Sequence, residues 1–119
     1  MADDRPTATE LIETVREFLH DTVLPTMTGH AAFEVRIAAN LLAIALRERE
    51  HGPRTAEAER QRLVTLLGRD GTLEELEAEL VRQIRAGELA PDNEALRTHL
   101  RMTVADRLAI TNPKYLGPT

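Results

Sequence analysis

The part of this chain that most constrains its fold is residues 31–46. That stretch is apolar except for Glu34, Arg36 and Asn40, and it lies between Gly29 and the pair Gly52-Pro53. Phe33, Ile37, Leu41 and Ile44 recur at helical spacing, and Val35, Ala38, Leu42 and Ala45 make a neighbouring stripe. The pattern predicts a helix over about residues 30–50, apolar around most of its circumference and therefore contacted on several sides. If Leu41 is core, Leu41→Ala would cost about 2–5 kcal/mol. Polar interruptions and a short apolar run argue against a bilayer span.

Four further segments read as helices. In residues 7–23, Thr7 and Glu10 have capping-box spacing, and Leu11, Val15, Phe18 and Leu19 line one face. Glu10, Glu13, Glu17 and Asp21 line another face, and Pro25 ends the segment. Residues 55–67 collect Leu63, Val64, Leu66 and Leu67 before Gly68. Thr72 and Glu75 open residues 72–86, where Leu73, Leu76, Leu80 and Ile84 keep helical spacing and Arg82 and Arg85 suit the helix C-terminus. Residues 93–109 carry the stripe Leu96, Leu100, Val104 and Leu108. No run has strand alternation. With short loops, the expected architecture is all-α: one domain, 1–119, a compact bundle of about five helices around the helix at 30–50.

Composition excludes several functions. There is no cysteine, so disulfides, thiolate metal sites and cysteine nucleophiles are ruled out. A net charge of −5 argues against nucleic acid and anionic membrane as partners. Arg97 and Arg101 on the last segment invite a helix-turn-helix reading, but the acidity and the loop before them weigh against it. The first residues are acidic and lack the apolar stretch of a secretory signal, so a cytoplasmic location is expected.

Candidate functional residues are few. Arg36, Asn40 and Arg47 project from a common face of the apolar helix. They read as its exposed strip, as an internal polar network, or as a surface for a carboxylate, a phosphate or a partner chain. His20, His30, His51 and His99 lack metal-ligand spacing, so no metal site is expected. His30, at the entry to the apolar helix, suits a capping role or a ligand contact, and a hydrolase would need it buried beside a carboxylate in a cleft. Phosphate loops, nucleophile elbows and dinucleotide fingerprints are missing, so neither a cofactor nor a catalytic residue is assigned, and the chain is not expected to be an enzyme. Asn112, Pro113, Lys114 and Tyr115 form a distinctive tail with the only Lys and the only Tyr. Tyr115 suits either a lid on the bundle end or a contact with a partner.

Three stretches carry a family resemblance: Pro6-Thr7-Ala8 with the helix after it, residues 32–40, and the tail from Leu108 through Asn112, Pro113, Lys114 and Tyr115. They resemble a small bacterial family of domains of unknown function, encoded beside aminoglycoside-phosphotransferase-like kinases and acyl-CoA dehydrogenases. The resemblance implies a small partner subunit of a kinase acting on hydroxyacyl-CoA, in the setting of levulinate and 4-hydroxy-acid catabolism. Arg36, Asn40, Asn112, Pro113, Lys114 and Tyr115 are the matching positions. Self-association and an independent acyl-CoA- or carboxylate-binding module are the alternatives.

Overall fold

The computed structural model describes residues 4–116, and among them every regular element is helical. Helix α1 spans Ala8–Glu17, α2 Gly29–Leu67, α3 Leu73–Arg85 and α4 Glu94–Thr111. The chain is therefore all-α, with four α-helices where the sequence suggests five.

Local chemistry explains most boundaries. Thr7 accepts from the Glu10 backbone N–H at 3.2 Å, and Glu10 accepts from the Thr7 N–H at 2.9 Å. The same reciprocal pair joins Thr72 and Glu75 at the start of α3. Each pair satisfies two donors that a helix start would otherwise leave open. After α1 the chain widens into a π-helical turn, Phe18–Val23, and then tightens into a 3₁₀ turn, Leu24–Thr26, at Pro25. Gly68 ends α2 with φ +70° and returns its N–H to the Val64 carbonyl at 2.9 Å, a conformation in which a Cβ is strained.

The missing fifth helix is a fusion. Gly52-Pro53 does not stop the helix at 50; residues 30–50 and 55–67 form one 39-residue helix with Pro53 inside. Proline removes one donor and usually expels the preceding residue from helical geometry by collision with its Cβ. The preceding residue here is Gly52, which has no Cβ. The carbonyl that Pro53 leaves without a donor is that of Arg49, and Thr55 Oγ1 donates to the Gly52 carbonyl at 3.0 Å in the next turn.

The chain divides into two compact units, residues up to Glu50 and residues from His51 onward, with the boundary inside α2. The second unit has an ordinary core: Leu63, Leu76, Leu80 and Leu96 are buried, with Val64, Leu66, Leu67, Leu73 and Leu89 packed against them. In α4 the inward positions are Leu96, His99, Thr103, Asp106 and Ile110, spaced alternately three and four residues apart. Leu100 and Val104, expected in the stripe of this helix, are exposed instead. The helix is rotated because a polar network, described below, takes the inner face.

The first unit has almost no core. Its only buried residues among those described are Ala32 and Ala39. Phe33, Ile37 and Leu41 stand about half exposed, and so do Leu11, Val15 and Phe18 of α1. The condition that Leu41 be core fails, since it is 59% exposed. In the same unit Ile12, Leu19, Val35, Leu42, Ile44 and Leu46 are half-buried. Arg49 Nε donates to Thr9 Oγ1 at 3.3 Å, tying α2 to α1 within this unit.

Candidate functional site

The most densely connected polar cluster joins α2, α3 and α4 in the second unit. Arg62 of α2 reaches α4: its Nε donates to His99 Nδ1 at 3.3 Å and its Nη2 donates to Thr103 Oγ1 at 3.1 Å. The same Nη2 lies 3.7 Å from Asp106 Oδ2. His99 is only 4% exposed. Because its Nδ1 accepts a bond, the neutral ring carries its proton on Nε2. Burial, and then the Arg62 charge, push the His99 imidazole below the ordinary histidine value, while Glu77 pulls the other way. Glu77 of α3 is raised in turn, first by burial and then by its hydrogen bond and like charge with Glu59 of α2. Arg107 and His99 oppose that rise. A carboxyl beside a carboxylate is the arrangement that holds a proton.

His99 and Arg62 also line a cleft of about 410 Å³, with Thr65, Leu66, Glu94, Ala95 and Thr98. Perturbed groups at a cleft are the usual mark of an active site. The bonding here argues for a structural role. Arg62 is engaged by three groups of α4, and among the described residues no buried side-chain nitrogen or oxygen lacks a partner. A nucleophile poised beside a base is not among these contacts. The cluster fastens helices together, and sequence reading missed it because His99 was weighed as a lone histidine. The signal was present in Leu96-His99-Thr103-Asp106-Ile110, a seam of heptad spacing that is polar in the middle.

A second network closes the α2–α3 turn. Arg60 clasps Glu57 through two bonds, at 3.0 and 2.9 Å, and donates to Asp70 Oδ1 at 2.9 Å and to the Gly71 carbonyl at 3.3 Å. This guanidinium, followed by Gln61, holds the Glu57 carboxyl at about 2. Arg82 clasps Glu79 in the same way, and that carboxyl also falls to about 2.

The residues singled out from the sequence lie elsewhere. Arg36 and Asn40 are exposed on α2, between Phe33, Ile37 and Leu41, and Arg47 is half-buried further along. None of the three lines the cleft beside His99. His30 is exposed at the start of α2, with Nε2 3.6 Å from Glu34 Oε2, far from the buried setting a hydrolase needs. Among the described residues no group of three His, Asp or Glu side chains could hold a metal ion. The tail forms a 3₁₀ turn, Pro113–Leu116, anchored by Asn112 N–H to the Leu108 carbonyl at 2.8 Å and Tyr115 N–H to the Asn112 carbonyl at 3.0 Å. Tyr115 is 77% exposed and Leu116 is exposed beside it, so Tyr115 is no lid. Fusion also makes α2 longer than the sequence suggested: by length and composition it is apolar enough to cross a membrane, with an 18-residue window of mean hydropathy 1.3.

Fold and site together define a helical protein whose polar clusters are internally bonded and whose large apolar side chains face outward in several places. The chain belongs to the family described as Domain of unknown function (DUF6285), whose pattern matches residues 25–115. That match includes α2 and the tail through Tyr115. No curated protein and no solved structure matches the chain.

Proposed function

We propose that this protein is a non-catalytic accessory subunit that docks onto a phosphotransferase-like kinase through its C-terminal turn. The observation that carries the reading is the outward presentation of Tyr115 and Leu116 on a turn whose backbone is pinned to α4. An exposed aromatic on a fixed support loses little freedom on binding, and tyrosine is enriched at interface hot spots for that reason. Lys114 places a cation beside it. The resemblance to domains encoded beside aminoglycoside-phosphotransferase-like kinases supplies the partner, and hydroxyacyl-CoA is the substrate of that partner. Co-expression with the neighbouring kinase tests the reading. A stable complex and a changed kinase rate are expected, with Tyr115→Ala weakening the complex about tenfold or more. If the two proteins elute separately and the kinase rate is unaffected, the assignment is wrong.

A further inference from the structure

The first unit buries no large side chain completely, although Ile12, Leu19, Val35, Leu42, Ile44 and Leu46 are half-buried. A helical pair needs a buried apolar interior, and the only buried residues among those described here are two alanines. Meanwhile six large apolar side chains lie open in two stripes. On α1 and the turn after it, Leu11, Val15 and Phe18 are spaced four and three apart, and Thr22 continues the series. On α2, Phe33, Ile37, Asn40 and the half-buried Ile44 are spaced four, three and four, with the exposed Leu41 beside them. Both are seams of the kind that helices use to pack on one another. Each covers twelve residues, roughly 17 Å for the α2 seam, while the α1 seam ends in the π-helical turn.

We infer that the seam of α1 in one copy packs against the seam of α2 in a second copy, and reciprocally, making a two-fold dimer of four helices. Such an isologous arrangement uses each seam once and leaves none open. Charge favours it over pairing like with like. Glu10, Glu17 and Asp21 run along one border of the α1 stripe, whereas Arg36 and Arg47 run along a border of the α2 stripe. Two α1 seams meeting along that acidic border would repel; the α2 stripe carries Glu34 on its other border, so there the match concerns the Arg36 side alone. Area is adequate too. Six side chains leaving on the order of 100 Å² each make roughly 600 Å² of apolar surface per copy, near the ~800 Å² a stable interface takes once its polar rim is counted. Asn40, inside the α2 seam, fixes the register, as a single polar residue does in helical pairs.

This proposal does not rest on kinase docking, which uses residues of the other unit. The absence of native cysteine makes it direct to test. In sedimentation equilibrium the wild-type chain is expected at twice its monomer mass, and Ile37→Glu is expected to weaken association about a hundredfold. Under oxidation the double variant Val15→Cys, Ile37→Cys should yield disulfide-linked dimers, and each single variant far fewer. Arg36→Glu should weaken the dimer, and adding Glu17→Arg should restore part of the loss. A wild-type chain that stays monomeric at every concentration overturns the proposal. So does efficient cross-linking by Ile37→Cys alone, which would mean that α2 meets α2. Sedimentation with phosphatidylglycerol vesicles, lost in Ile37→Glu, would assign the seam to a membrane and equally sink the dimer.

Discussion

At the scale of single residues, His99 and Glu77 are the informative pair, because burial shifts each towards its neutral form. The sign for His99 follows from its lowered value. An unfolded histidine takes up its proton near pH 6.5, whereas His99 resists until lower pH. Stability from neutral His99 is therefore full above the ordinary histidine value and is lost as pH falls through it. Glu77 behaves oppositely, since its raised value makes stability fall as pH rises from the ordinary carboxylate value. Thermal midpoints measured from about pH 5 to 8 should show a falling acid limb that flattens in His99→Gln. An unchanged slope in that variant would mean that His99 titrates normally. Leu63, which has no exposure at all, gives a cleaner prediction. Leu63→Ala should cost about 2–5 kcal/mol in urea unfolding, while Leu41→Ala, at an open position, should cost well under 1 kcal/mol in the monomer.

Elements show where the sequence was legible and where it was not. Both capping boxes were readable because their chemistry is local: Thr7 with Glu10 and Thr72 with Glu75 need only three-residue spacing and a hydroxyl. Helical type was equally plain in the leucine spacing of α3. Two things escaped. Gly52-Pro53 looked like a terminator, yet the lack of a Cβ on Gly52 removes one of the clashes that usually stop a helix before proline. The inner face of α4 was misjudged because His99, Thr103 and Asp106 look like surface residues until Arg62 is placed opposite them. Of the candidate site, Arg36, Asn40 and Tyr115 were visible as unusual, but exposure depends on the rest of the fold and cannot be read from spacing. Two substitutions test the element-level account. Thr72→Ala should lower stability by about 1 kcal/mol by leaving the α3 start uncapped. Pro53→Ala should raise the melting temperature, because it adds an N–H for the Arg49 carbonyl and removes a helix-interior proline, a residue that costs about 3 kcal/mol relative to alanine. A lower melting temperature would show that Pro53 supports the structure.

For the whole molecule, the issue is whether its outward-facing apolar groups form one surface or two. The α1 and α2 seams lie in the unit that ends at Glu50, whereas Tyr115 and Leu116 belong to the unit that begins at His51. Groups that share no contacts act additively in free energy, and groups in one interface do not. Self-association and kinase docking should therefore respond to different substitutions. Ile37→Glu should weaken the dimer about a hundredfold yet leave each chain able to bind kinase, apart from lost avidity when two linked copies engage two kinases. Tyr115→Ala should weaken kinase binding and leave the sedimentation mass unchanged. In the double variant the two losses should sum within about 0.5 kcal/mol, measured by calorimetric titration of kinase alongside sedimentation of the chain alone. Strong coupling would mean that the kinase contacts both surfaces at once, and the division of labour between the two units would have to be abandoned.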